Sequence, residues 1–220
     1  MTKKLGLIHT SATLVPVFKD LIDQYLSDKD LKVFNIVDDS LIGNTIERNE
    51  LTYDTQRRVV DYVGSAQAAG ADFIMVTCSS IGPAVEAAAS LTGVPVLRVD
   101  QPMADQAVQM GTKIGVVATL PTTLAPTQDL VRRRAIAAQK EVEITAKLCE
   151  GAFEALMGGA PEKHDEMVAT ALKELSTQVD VIVLAQASMA RVVGQLSDAD
   201  KKVPILASPP IAMEYLAKVL

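Results

Sequence analysis

The chain has no tryptophan, few aromatic residues (4%), two cysteines and two histidines among its 220 residues. Each scarcity excludes something. With so few aromatics, stacking platforms for single-stranded nucleic acid are not expected. Two cysteines cannot form a disulfide framework. Two histidines with no cysteine or acidic partner at ligand spacing argue against a zinc site. No apolar run approaches the ~18 residues of a membrane span, and the stretch after Lys3-Lys4 is too short for a signal segment. Gly-x-Gly-x-x-Gly and Gly-x-x-x-x-Gly-Lys are absent, which counts against dinucleotide and P-loop functions. Positive charge is also in deficit: 21 Lys and Arg against 27 Asp and Glu leave a net charge of −6, and such a chain repels a phosphate backbone. A cytoplasmic protein that binds neither nucleic acid nor membrane is expected.

Apolar residues make up 49% of the chain, enough for a sizeable core. They come in short runs. Leu5–Ile8, Val33–Val37, Phe73–Val76, Val94–Val99, Ile114–Val117, Val142–Ile144, Val181–Leu184 and Val203–Leu206 read as buried strands, of the kind found in parallel sheets covered on both faces. Helical stripes lie between them. Leu14, Val17, Phe18, Leu21, Ile22 and Tyr25 share one helix face, as do Met167, Val168, Ala171, Leu172 and Leu175. Pro83, Pro126 and Pro210 mark expected helix starts. Strands alternating with helices predict an α/β fold.

The most informative feature is an internal repeat. Leu5-Gly6-Leu7-Ile8-His9-Thr10 matches Ile114-Gly115-Val116-Val117-Ala118-Thr119 at an offset of 109. Asp72–Ser80 matches Asp180–Ser188 at 108, and Val94-Pro95-Val96-Leu97 matches Val203-Pro204-Ile205-Leu206 at 109. The period is too long for a solenoid and fits a domain. It predicts two pseudo-symmetric domains, each a four-stranded parallel sheet flanked by helices. Residues 1–100 with 208–220 form the first and 101–207 the second. The expected site is a cleft between them, beyond the carboxyl ends of the strands.

Those strand ends carry His9, Thr10 and Ser11, then Thr77, Cys78, Ser79 and Ser80. In the second copy they carry Thr119, Thr122 and Thr123, then Gln186 and Ser188. Hydroxyls and free amides at helix starts either bind an anion or merely cap the helix. Cys78 lies between a strand and a helix start, a setting that lowers a thiol pKa and yields a thiolate base or nucleophile. Cys149 lacks that setting and reads as a packing residue. His9 is a general acid, a substrate contact or a satisfied strand-end residue. His164 sits in a charged stretch and reads as surface. Arg132-Arg133-Arg134 reads as a solvated helix face. Tyr53 either closes over a ligand or belongs to a turn.

Gly6-Leu7-Ile8-His9-Thr10, Val76-Thr77-Cys78-Ser79-Ser80, Val117-Ala118-Thr119-Leu120-Pro121-Thr122-Thr123 and Ser208-Pro209-Pro210 together resemble the aspartate/glutamate/hydantoin racemase superfamily. The resemblance runs over essentially the whole chain. It implies a cofactor-independent enzyme that acts beside the carboxylate of a small organic acid and forms a homo-oligomer, often a dimer. It also implies two cysteines, one per domain, on opposite sides of the substrate carbon. Cys78 matches the first. The second falls at position 186, which is Gln, and a carboxamide exchanges no proton near neutral pH.

A one-sided isomerase or lyase reaction is therefore expected, with Cys78 the single proton carrier and His9, Ser11, Thr77, Ser79, Ser80, Thr119, Thr122, Thr123, Gln186 and Ser188 holding the substrate. Arylmalonate decarboxylase is a partial parallel, because its retained cysteine is the one in the second half. The alternatives are an amino-acid (Asp/Glu-type) or hydantoin racemase with a non-cysteine second base, a non-catalytic small-carboxylate binding protein, and a cysteine hydrolase. The candidate loops hold few Lys or Arg, so a mono- or dicarboxylate is the expected ligand.

Overall fold

The computed structural model describes residues 2–220 and divides the chain into two compact units. One holds the residues up to Asp100 with Pro209–Leu220, and the other Gln101–Ser208.

The first unit runs β1 (Lys3–His9), α1 (Leu14–Tyr25), β2 (Leu31–Val37), α2 (Asp39–Glu47), α3 (Tyr53–Ala68), β3 (Phe73–Val76), α4 (Gly82–Ala89) and β4 (Val96–Arg98). The second runs α5 (Gln101–Met110), β5 (Lys113–Ala118), α6 (Pro121–Ala137), β6 (Glu143–Leu148), α7 (Ala152–Met157), α8 (Pro161–Leu175), β7 (Val181–Leu184), α9 (Ala190–Gln195) and β8 (Ile205–Ala207). Helix α10 (Ser208–Val219) closes the chain. Each unit has one parallel four-stranded sheet, ordered β2-β1-β3-β4 and β6-β5-β7-β8. The architecture is thus α/β, with the repeat visible strand for strand.

The repeat extends to single hydrogen bonds. The Asp72 carboxylate accepts the Lys4 N–H at 2.8 Å, and Asp180 accepts the Lys113 N–H at 2.8 Å. Thr77 N–H donates to the Ile8 carbonyl at 3.0 Å, and Ala185 N–H to the Val117 carbonyl at 2.9 Å. Each pair ties the start or end of one central strand to its neighbour. The loops that follow β3 and β7 therefore leave their sheets from equivalent places.

All eight apolar runs form strands, but not all are buried. β3 and β7 are buried throughout, and Val33 and Val37 in β2 are 37% and 40% exposed. β2 and β6 are exposed along much of their length, and the expectation of cover on both faces fails for them. Val142–Ile144 also proves too short a reading of β6, whose exposed residues break the apolar run. The α1 stripe is real: Phe18 is fully buried in a core that includes Leu5, Leu7, Met75 and, from α10, Ala212, Met213 and Leu216.

Two further expectations need correction. Pro126 lies inside α6, and Pro121 opens that helix. Proline at the first helical position loses no bond, because that N–H has no partner in the helix anyway. His164 is fully buried rather than at the surface. Its position follows from α8: His164, Val168, Ala171, Leu172 and Leu175 fall at i, i+4, i+7, i+8 and i+11, one face of the helix, and all five are buried.

Candidate functional site

The thiol loop starts where β3 ends. Cys78 is still extended (φ −132°, ψ 122°), and Ser79–Ile81 then make one 3-10 turn before α4. Gly82 N–H donates to the Ser79 carbonyl and closes that turn. The turn directs the Ser80 and Ile81 N–H groups at the half-buried Cys78 sulfur, and the Thr10 and Ser80 hydroxyls bond to it as well. All four contacts favour the thiolate. Burial opposes them and is the larger effect, so the Cys78 pKa lies above its ordinary value of 9.0. The expectation of a lowered thiol pKa is therefore corrected. The sulfur is protonated at neutral pH and carries donors ready for the anion it would become. Cys149 is buried in the core of the second unit, and burial pushes its thiol to about 11.

His9 lies at the end of β1 and is fully buried. Its Nδ1 is 2.9 Å from the Thr77 hydroxyl, and its Nε2 is 2.9 Å from Asn35 Oδ1. The Thr77 hydroxyl is also 3.2 Å from the Ile8 carbonyl. Both ring nitrogens are engaged, which favours the satisfied strand-end reading over a substrate contact. Phe18 packs on the imidazole at a ring-centroid distance of 5.6 Å. Ser11 is half-buried, its hydroxyl 2.8 Å from that of Thr13. Ser79 and Ser80 are buried in the turn.

Burial lowers the His9 pKa below its ordinary 6.5, against the raising effect of Asn35. The unfolded chain therefore binds this proton more tightly than the folded one. The resulting stability is complete above pH 6.5 and is lost as pH falls through the folded value. Thermal midpoints should drop between about pH 7 and pH 5 in the native protein and drop less in His9→Gln. Equal slopes in the two proteins would contradict this assignment.

The matching loop of the second unit has the same frame. Gln186 is extended (φ −134°, ψ 140°), and Ala187–Met189 form its 3-10 turn. Its Oε1 accepts the Thr119 N–H at 2.6 Å, and its Nε2 donates to the Thr119 hydroxyl at 2.8 Å. One amide N–H remains for a further acceptor. The pairing of Gln186 with Thr119 repeats that of Cys78 with Thr10, residue for residue in the repeat. Thr122 and Thr123 lie in the first turn of α6 rather than in a loop, and the Thr122 hydroxyl is buried without a partner. Ser188 is exposed. Tyr53 opens α3 and is 77% exposed.

Thr10, which the sequence places after β1, bonds to Cys78, and Asn35, which no sequence motif marks, bonds to His9. Thr10 was legible through the repeat, as the counterpart of Thr119. Asn35 sits on an edge strand with no motif around it. Among the described residues no three His, Cys, Asp or Glu side chains gather as metal ligands, and no helix is long and apolar enough to cross a membrane.

No curated protein matches the chain in sequence. Solved structures do match its fold. A Yersinia pestis protein classed with the Asp/Glu racemases superposes with a TM-score of 0.76 at 19% identity, covering 99% of this chain and 98% of that one. Glutamate racemase from Aquifex pyrophilus gives 0.70 at 20% identity, covering 99% and 84%. Allantoin racemase from Klebsiella pneumoniae gives 0.66 at 19% identity, covering 99% and 87%. The sequence profile of the Asp/Glu/hydantoin racemase family matches residues 5–216, and with the doubled parallel fold and the Cys78 loop it establishes that the chain belongs to that family.

Proposed function

We propose that the protein is a cofactor-independent isomerase or lyase acting at the carbon next to the carboxylate of a small organic acid, with Cys78 the single proton-transferring group. One observation carries the reading: a thiol surrounded by four hydrogen-bond donors, matched in the other half of the repeat by an amide that cannot titrate.

The chemistry follows from that asymmetry. Loss of carbon dioxide from a malonate-type acid leaves an enediolate, with the electron pair of the broken C–C bond on the α-carbon and its carboxylate. The Cys78 S–H then gives its proton to that carbon, and the new C–H bond forms on one side only. The sulfur is left as a thiolate, which the Ser80 and Ile81 N–H groups and the Thr10 and Ser80 hydroxyls stabilise. Water returns the proton. An isomerisation with one sulfur is a proton shift between two carbons: Cys78, ionised first, takes the proton beside the carboxylate and then, as the thiol, gives it to another carbon of the same enolate on the same side. Hydroxyls and backbone amides of the loop provide the contacts for the substrate carboxylate.

A screen of substituted malonates, 2-amino acids and 2-hydroxy acids that follows both chirality and carbon dioxide release tests the reading. Its pH dependence is diagnostic. If the thiol is the proton donor, turnover is level across neutral pH and falls as pH rises past 9.0, because the folded pKa lies above that value. A rate that climbs through the same range means the thiolate is the working form. No conversion of any acid in the screen, with a Cys78 thiol inert to alkylation, means a binding protein.

A further inference from the structure

Arg98 ends β4 and is 1% exposed, among the largest side chains buried in the molecule. Its Nε and one terminal nitrogen donate to the two carboxylate oxygens of Asp100, each at 2.8 Å, and Asp100 is itself 0% exposed. The other terminal nitrogen pairs with Glu86 on α4. Burying such a pair contributes little net stability, so its presence points to a geometric role. The proton chemistry proposed above does not use it.

The repeat supplies an internal control. In the sheets, Val76 pairs with Arg98 and Leu184 with Ala207, so Ala207 stands at the place of Arg98. Gly82 opens α4 and Ala190 opens α9. A Cβ on Gly82 would overlap the carbon and a terminal nitrogen of the Arg98 guanidinium. The half that carries the thiol thus has a Gly–Arg pair where the half that carries the amide has Ala–Ala. Gly82 in turn closes the 3-10 turn through the Ser79 carbonyl, and that turn holds the Ser80 and Ile81 donors at the sulfur.

We infer that Arg98 is a positioning residue for Cys78: seated against Gly82 and tied to Glu86, its guanidinium sets the first turn of α4 so that the Ser80 and Ile81 N–H groups reach the sulfur. This rests on the reading of Cys78 as the proton carrier. Its immediate consequence is on the sulfur itself and is measurable without any substrate.

The test is the rate of Cys78 alkylation by iodoacetamide as a function of pH, read peptide by peptide with Cys149 as reference. The variant Gly82→Ala/Arg98→Ala/Asp100→Asn restores the Ala–Ala packing of the second unit and leaves no buried carboxylate unpaired. Its Cys78 profile should move up by about one pH unit, slowing alkylation about tenfold below the midpoint. Cys149 should be unaffected. A profile that superimposes on that of the native protein, with or without a lower melting temperature, overturns the inference, because a merely structural role would not move the sulfur. Should the triple variant not fold, Arg98→Lys keeps the charge and the pair with Asp100 but loses the two-pronged bond. It should shift the profile in the same direction by less, and an unshifted profile again overturns the inference. Turnover is not part of this readout. If Cys78 proves not to be the proton carrier, Cys78→Ala retains turnover, whatever the alkylation profiles show.

Discussion

Cys78→Ala is expected to lower turnover by roughly a thousandfold, the usual worth of a positioned proton donor. The fold should not suffer. The residue is half-buried, its backbone is ordinary extended chain, and alanine keeps the Cβ that packs beside the apolar core of the first unit. Thermal unfolding of the variant should stay close to native while the rate collapses. Cys78→Ser is the sharper companion. A serine keeps the hydrogen bonds from Ser80, Ile81 and Thr10 but ionises far above any thiol, so it too should fail as proton carrier. Native-like rates in either variant remove Cys78 from the chemistry.

Phe18→Ala is expected to cost about 3–5 kcal/mol of stability, the range for an aromatic truncated in a packed core. Phe18 is fully buried in a core cluster that draws residues from β1, β3, β4 and α10 of the first unit. Its ring also supports the His9 imidazole, which in turn holds Thr77, the residue before Cys78. Chemical denaturation should therefore show a lower midpoint with an unchanged slope. A loss below about 1 kcal/mol would mean that the Phe18 site collapses to fill the gap.

These two residues differ in how plainly the sequence announces them. Phe18 belongs to a helical stripe, and periodicity alone places it inward. Cys78 and Gln186 are legible through the repeat, which puts a thiol and an amide at equivalent strand ends. What stays hidden depends on contacts distant in sequence. Nothing local shows that His9 has partners in both Thr77 and Asn35, or that Thr10 reaches Cys78. The direction of the thiol pKa is hidden for a related reason. The helix start is visible in sequence, but the burial that outweighs it comes from the packed turn. The charged neighbours of His164 in sequence mask its place on the apolar face of α8. The apolar residues of β2 and β6 reveal strands without revealing that much of each is exposed.

Arg98 shows the value of comparing the halves. Taken alone, a buried arginine paired with two carboxylates is a structural curiosity. Beside Ala207 and Ala190 it becomes a difference between the thiol half and the amide half.

The most direct test of the single-thiol account is turnover in D₂O, with the product examined for the position and configuration of its label. One deuterium at the α-carbon, in one configuration only, is the predicted result. Deuterium in both enantiomers would require a second proton carrier opposite the sulfur, and would contradict the account.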